Sequence, residues 1–305
     1  MNKYYKPSGK FSPVSFLYFI IACFAGLPLL GLLYAYAIWY IPFFYFHFIF
    51  TVIFGGLVGV LAIGMGVIKL GKVRNRAIGI FFGFFGGLVA LYFHWAVWVD
   101  FVMNIKRFSD SSSFGMPSSE IHFNEVFSYV KHPAAFFQLI ADINEKGVWT
   151  LRSLHDAVNG PFLSFIWIVE ALIVLAGSMW GANITSKKPF CEVSKTWFEE
   201  KTLPAFSYIQ EKEKVISSLE NDDADIFKDI VKAENLKESH SIFTVYYSKN
   251  EEYYLTIKNK TVVTDKNGKV KFKDDEFIEY ISIDRTLREM LIAKGSVSAP
   301  AVAQA

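Results

Sequence analysis

Long apolar stretches alternate with short charged segments over the first 185 residues of the chain. None of these stretches has the polar face that a helix of a soluble protein would show. At a rise of about 1.5 Å per residue, about 20 residues cross the hydrocarbon core of a bilayer, and every stretch is at least that long. The pattern predicts four transmembrane α-helices, covering residues 14–41, 43–68, 77–101 and 161–183. Pro28 lies inside the first of them, so we expect that helix to tilt or kink.

The charges at the helix ends indicate the orientation. The turn between the second and third helices carries four basic residues and no acid, namely Lys69, Lys72, Arg74 and Arg76. Cytoplasmic loops carry such an excess of Lys and Arg, so this turn should be cytoplasmic. Both termini are then cytoplasmic as well, and a bacterial inner membrane is the expected location.

The same pattern predicts the domain organisation. We expect a cytoplasmic tail at 1–12, three helices within 13–103, an extracytoplasmic loop with short helices at 104–160 and the fourth helix at 161–184. A cytoplasmic α+β domain at 185–295 and a disordered tail at 296–305 complete the chain. The short helices of the loop are predicted at 120–130 and 133–143.

Beyond residue 236 the hydrophobic period changes to two, which indicates strands. After two helices at 205–219 and 222–236, strands are predicted at 241–248, 253–258, 261–264, 269–273 and 277–283. Asn267 and Gly268 favour a tight hairpin. Asp284 should cap a last helix at 285–294, with Gly295 just past its end. The fold class is therefore four transmembrane helices plus an α+β domain built on an antiparallel meander.

Composition supports this division into a membrane part and a soluble part, and it bears on the classes of partner and cofactor to expect. The chain is 52% hydrophobic and 17% aromatic, which is typical of an integral membrane protein with a soluble part. A net charge of +2 gives no reason to expect a nucleic acid partner. Cys23 and Cys191 lie on different segments, so we expect neither a disulfide framework nor a cysteine-based zinc site. We expect no cofactor.

The second and third predicted helices each carry one stripe of glycines. The stripes contain Gly55, Gly59 and Gly66 on the second helix, and Gly79, Gly83 and Gly87 on the third. Small residues let membrane helices approach closely, so we expect these glycines to pack helices and the two stripes to face each other. The alternative is that glycine is simply common in membrane helices.

Glu170 is the sharpest anomaly in the sequence. It lies ten residues into the fourth helix, where a charged side chain costs roughly 2.5–3.5 kcal/mol even on insertion scales. Two interpretations stay open: a structural anchor bonded to a neighbouring helix, or a residue used in transport or signalling.

His94 lies at a similar depth to Glu170. Counted from the outer helix ends, the two residues are about 10 Å and about 14 Å below the boundary. We therefore expect Glu170 and His94 to form an intramembrane polar pair. A metal site formed by these two residues and His47 is conceivable, but no ligand spacing is diagnostic, so we predict no metal.

Three function classes remain. The leading hypothesis is a non-enzymatic membrane scaffold, sensor or assembly subunit, with a protein partner bound to its cytoplasmic domain and the lipid bilayer around its helices. The alternative is a small transporter or channel component that uses Glu170. A membrane-associated enzyme comes third, because no nucleophile–base or metal constellation is evident. Homo-oligomerisation stays open.

Overall fold

The chain divides into two units in the computed structural model, which describes residues 3–41, 44–109, 121–147, 158–266 and 268–296. Residues 8–187 form the first unit, and residues 188–296 together with residues 3–7 form the second. The prediction of four long apolar helices and a C-terminal α+β region with antiparallel sheets is confirmed.

The first unit is built on the four apolar helices. Helix α1 consists of Val14–Ile21, the π-helical segment Ala22–Gly26 and Leu27–Tyr40. Helix α2 consists of Phe44–Leu57 and the π-helical segment Val58–Lys69. Helix α3 is Arg76–Ser109 and helix α6 is Gly160–Ser186. Each is long enough and apolar enough to cross a membrane.

The expected irregularity at Pro28 takes the form of a π-helical turn. Proline lacks an N–H group, and its ring clashes with the carbonyl four residues earlier in a regular α-helix. The segment Ala22–Gly26 widens the helix just before Leu27–Tyr40, in which Pro28 occupies one of the first two positions. A π turn replaces i→i+4 bonds by i→i+5 bonds, which relieves that clash.

Two short helices follow α3, close to the predicted positions. Helix α4 is Phe123–Lys131 and helix α5 is Pro133–Lys146. The buried Asp100 near the end of α3 accepts the backbone N–H of His122 at 2.9 Å, so it fixes the start of α4. Gly147 ends α5 with a φ of +77°, a conformation that glycine adopts without strain. Residues 110–120 and 148–157 of the predicted loop lie outside the described residues.

The described residues of the second unit form seven strands and three helical segments. They are β1 Phe190–Cys191, β2 Thr196–Trp197, β3 Glu199–Thr202, β4 Phe206–Ser207, α7 Lys212–Glu220, a 3₁₀ turn Asp225–Phe227, β5 His240–Tyr247, β6 Tyr253–Thr264, β7 Val270–Ile283 and α8 Arg285–Ser296. The main sheet has the antiparallel order β3-β5-β6-β7, and β4 also pairs with β5. Its core includes Phe206, Phe227, Phe243, Leu255 and Ile257.

The two helices predicted before the sheet are largely wrong. At 205–219 the chain first forms β4, which pairs with Ser241 and His240, and helix begins only at Lys212. At 222–236 the described helix is limited to the 3₁₀ turn Asp225–Phe227. The Asp223 carboxylate accepts the N–H of Asp225 at 2.9 Å, and such local bonds compete with a helix.

The end of the chain follows the prediction more closely. The Asp284 carboxylate accepts the N–H of Leu287 at 2.8 Å and so caps α8. Gly295 lies inside α8, whereas we expected it just past the end. A turn joins β6 and β7, with Gly268 at a φ of +76°, and Asn267 of the predicted Asn-Gly pair lies outside the described residues. Of the predicted disordered tail, residues 297–305 lie outside the described residues.

Residues near the start of the chain belong to the second unit. The N–H of Tyr5 donates to the Tyr280 carbonyl at 2.9 Å, and the N–H of Ser282 donates to the Lys3 carbonyl at 2.7 Å. Tyr4 forms an antiparallel bridge with Ile281. We expected residues 1–12 to be a tail, but residues 3–5 extend the main sheet beside β7.

Candidate functional site

Glu170 lies on the buried face of α6. That face repeats every three or four residues, and it consists mainly of Leu163, Ile166, Glu170, Val174, Ser178, Gly181 and Thr185. Glu170 as a whole residue is 2% exposed. It therefore points towards the other apolar helices, which supply the groups that surround it.

Four polar side chains from α1, α2 and α3 converge on or beside this carboxylate. The Tyr34 hydroxyl donates to Oε1 of Glu170 at 2.5 Å. Nε2 of His47 lies 3.2 Å from Oε2, and Nε2 of His94 lies 3.6 Å from Oε1. Thr51 reaches the cluster through Tyr34, because their hydroxyl oxygens are 2.7 Å apart. We call these five residues the Glu170 cluster.

The predicted pair of Glu170 and His94 is thus part of a larger arrangement. His94 is buried against the Tyr34 ring, with 4.5 Å between the ring centroids, and its Nδ1 has no hydrogen-bond partner in the described chain. A close contact at Gly31 holds α1 against α3 here, since an added Cβ at Gly31 would lie 2.9 Å from the backbone N of His94.

The hydrogen count in the cluster depends on the protonation of Glu170. Three contacts form a chain: Glu170 to Tyr34, Tyr34 to Thr51, and Thr51 to the His47 carbonyl at 2.9 Å. With Glu170 ionised, the two hydroxyl groups supply only two hydrogens for these three contacts. With Glu170 protonated on Oε1, its O–H donates to Tyr34, Tyr34 donates to Thr51, and Thr51 donates to the carbonyl.

The two protonation states therefore use different hydrogen-bond patterns on the same atoms. In the ionised state Tyr34 donates to Glu170, and Thr51 donates either to Tyr34 or to the carbonyl. In the protonated state every contact has its own hydrogen. The arrangement can therefore hold or release a proton, and in the ionised state one of the three contacts lacks a hydrogen.

His47 is the most accessible member of the cluster. It lies in the first turn of α2, three residues after Phe44, and its side chain is 26% exposed. The side chains of Glu170 and His94 are each 3% exposed. A proton that reaches Glu170 from the surface has its shortest route through the His47 imidazole.

Both glycine stripes pack on α6 and not on each other, contrary to the sequence-based expectation. An added Cβ at Gly59 would lie 2.6 Å from the Gly177 carbonyl oxygen, and at Gly55 it would lie 3.0 Å from Cα of Val174. On α3, an added Cβ at Gly83 would lie 2.8 Å from Cα of Met179.

The ends of the α3 stripe meet side chains of α6. Gly79 faces Ser186 and Gly87 faces Leu175, each at 2.9 Å from the added Cβ. The Ser178 hydroxyl also donates to the Gly83 carbonyl at 2.6 Å, which adds a polar bond to the α3–α6 contact. Helix α6 therefore lies against both stripes.

Gly66 does not take the packing position that the sequence predicts. The nearest atom to an added Cβ there is the Leu61 carbonyl oxygen of the same helix, 3.7 Å away. Gly64 faces α6 in its place, 2.7 Å from the Thr185 hydroxyl. The reason is the π-helical segment Val58–Lys69, which advances fewer degrees per residue than the α-helix assumed by the prediction.

Sequence reasoning did not foresee the roles of Tyr34, Gly31 and Thr51. The available signal for Tyr34 was a polar hydroxyl inside an apolar helix, ahead of the aromatic residues at the end of α1.

Among the described residues, no group of three His, Cys, Asp or Glu side chains is arranged to hold a metal ion. No known protein family, curated protein or solved structure matches this chain significantly.

Proposed function

We propose that this chain is an integral membrane protein in which the Glu170 cluster binds a proton and thereby controls the packing of the four apolar helices, so that the protein works as a sensor. The hydrogen count of the cluster is the observation that carries the proposal. Intramembrane ionisable residues are rare and commonly functional. Here one such residue contacts groups from three neighbouring helices.

Membrane insertion is supported by the outward faces of the helices. Large apolar side chains point away from the unit on α1 and α6, among them Phe24 at 80% exposed, Phe165 and Trp180. Soluble monomers rarely expose such extensive apolar surface. Lipid is the solvent that would accept it.

We propose cytoplasmic termini and a bacterial inner membrane on two grounds. The turn between α2 and α3 is basic, as cytoplasmic turns are. Residues 3–5 also pair with β7, which requires both parts of the chain to lie on one side of the membrane. An even number of crossings satisfies that requirement, and residues 104–160 are then extracytoplasmic.

A sensor is favoured over a transporter because the route to Glu170 is one-sided. His47 lies near the extracytoplasmic ends of the helices in this orientation. Towards the cytoplasm, the next inward residues of α6 are the apolar Val174 and then Ser178, whose hydroxyl is already bonded to Gly83. A carrier would need a polar route on that side too.

The second unit would pass the signal to a protein partner. Strand β3 has β5 as its neighbour in the main sheet, and all four of its residues are exposed. Within the described residues its outer edge is thus open to an added strand, a common mode of peptide recognition. This edge supports the protein-binding part of the proposal.

Titration of the purified protein in lipid nanodiscs tests the proton site. Infrared difference spectra across an acid titration from about pH 8 to about pH 3 should show the C=O stretch of a buried carboxylic acid, because the cluster accommodates both states. Glu170→Gln should remove this band, and Glu145→Gln, at an exposed position of α5, should not. Spectra that are identical for wild type and Glu170→Gln would overturn the proposal.

Two further measurements separate a sensor from a transporter. Trp95 and Trp167 lie on α3 and α6 with ring centroids 4.8 Å apart, so their fluorescence reports on helix packing and should follow the same titration. Proteoliposomes should show no proton flux above that of protein-free vesicles. Flux that is lost in Glu170→Gln would instead assign the protein to the transporters.

A further inference from the structure

The outer part of the β6–β7 hairpin projects beyond the rest of its sheet. Strand β5 begins at His240, which pairs with Lys260, so no strand of the described sheet flanks β6 beyond that point. Strands β6 and β7 continue as a two-stranded ribbon through Thr261 and Lys273 to the turn at Asp265. Such ribbons are only marginally stable in water unless one face is covered. We call residues 260–266 and 268–273 the ribbon.

One face of the ribbon is apolar and uncovered over most of its length. Val262 pairs with Phe272 and Thr264 pairs with Val270, and partners in a ladder point to the same face. Phe272 is 42% exposed although the His240 ring lies 5.4 Å away, and Val270 is 56% exposed. A ribbon surrounded only by water is expected to carry polar residues on both faces. The apolar face therefore indicates that something other than water covers it.

The charge of the ribbon contrasts with that of its unit. Its five basic residues are Lys260, Lys266, Lys269, Lys271 and Lys273, and Asp265 is its one acid. The remainder of residues 186–295 carries 14 basic and 20 acidic side chains. Lys271 pairs with Asp265 at 3.5 Å, and the other four lysines form no ion pair within the described chain.

A ribbon with one apolar face, and with lysines at its tip and on its opposite face, matches an anionic membrane surface. The apolar side chains would enter the boundary between headgroups and acyl chains, and the lysines, whose long stems can reach around the ribbon, would contact lipid phosphates. A nucleic acid would satisfy the lysines but leave Val270 and Phe272 exposed. A second copy of the chain would bring like charges together.

We infer that the ribbon binds the anionic surface of a membrane and thereby anchors the second unit to the bilayer. This inference goes beyond the proton site and does not depend on it. It assigns a partner to the most basic segment of an otherwise acidic unit. Polybasic segments near a membrane are attracted by anionic lipids, and that attraction weakens with added salt.

Hydrogen exchange of the full chain in nanodiscs tests this inference. Amides of residues 262–264 and 270–272 should exchange about tenfold more slowly when about one-third of the lipid is phosphatidylglycerol than in pure phosphatidylcholine. About 0.5 M salt should remove most of the difference. The turn at Ser248–Glu252, on another part of the same sheet, serves as the internal control and should exchange equally in both lipids.

Two double variants show which property matters. Val270→Thr with Phe272→Thr keeps the preference for strand but removes the apolar face, and Lys266→Gln with Lys269→Gln removes charge at the tip. Each should reduce the tenfold difference to less than about threefold, while core amides of β5 stay protected and so report an intact fold.

Several results would overturn the inference. Equal exchange in the two lipids would show that anionic lipid does not bind the ribbon. Protection that rises with protein concentration in pure phosphatidylcholine would identify a second copy as the partner. Protection by an added oligonucleotide, without any effect of phosphatidylglycerol, would identify a nucleic acid.

Discussion

A single methyl group added at Gly59 should push α2 and α6 apart and lower the stability of the protein. The Cβ of an alanine there would lie 2.6 Å from the Gly177 carbonyl oxygen and 2.7 Å from the Ser178 carbonyl oxygen. Both are backbone atoms, so no side chain can rotate away. Ordinary contact begins near 3.4 Å, and the helices must therefore separate by about 0.8 Å.

Gly56 provides a matched control on the same helix. An added Cβ there meets nothing within 4 Å. Both substitutions gain the helix propensity of alanine over glycine, roughly 1 kcal/mol, so this gain largely cancels in the comparison. The remaining difference is the overpacking penalty at Gly59, about 1–3 kcal/mol.

Thermal unfolding of the two variants in the same detergent measures this difference. At about 2–4 °C per kcal/mol, Gly59→Ala should melt roughly 2–12 °C below Gly56→Ala. The separation should also weaken the Glu170 cluster, since α2 carries both His47 and Thr51. Equal melting temperatures for the two variants would show that the Gly59 contact does not hold the helices together.

The remaining predictions concern the cluster and the second unit. Glu170→Leu should lower the melting temperature more than Glu170→Gln, because leucine removes the polar atoms that face Nε2 of His47 and Nε2 of His94, at about 1–3 kcal/mol; equal losses would argue against these contacts. Tyr5→Ala should speed exchange of the Ser282 amide, which donates to the Lys3 carbonyl, whereas Lys6→Ala, at an exposed position, should leave it unchanged. Burial first, and then Glu200, raises the pKa of Tyr246 to about 12 from 10.0. The folded state therefore keeps that proton longer than the unfolded state, and stability should fall by about 2–3 kcal/mol as pH rises from about 10 to about 12. Tyr246→Phe should reduce this fall in an alkaline titration followed by circular dichroism.

The apolar helices could be predicted from the sequence because length and apolar character alone identify a helix that can cross a bilayer. A helix must be about 20 residues long and apolar all round, and few other sequences meet that condition. The proximity of Glu170 and His94 also followed from counting residues. The participation of Tyr34 did not, since a tyrosine in an apolar helix is equally compatible with a position facing lipid near the interface.

The sequence-based predictions were wrong where the backbone departs from a regular α-helix. Gly66 was placed on the packing face by a regular α-helical wheel, and the π-helical segment Val58–Lys69 moved Gly64 there instead. The helix expected at 222–236 had suitable spacing of apolar residues, but the Asp223 side chain and pairing of the segment beside β4 took its backbone groups. Tertiary partners of this kind are not visible in a single sequence.

The bond between residues 3–5 and β7 imposes an order on biogenesis. Ribosomes add about 5–20 residues per second, so Tyr4 is synthesised roughly 14–55 s before its partner Ile281. All four apolar helices are synthesised within that interval. Residues 3–5 consequently cannot take their place beside β7 until the last part of the second unit has been made, and a bulky tag fused ahead of Lys3 would hinder completion of a domain that lies at the opposite end of the chain.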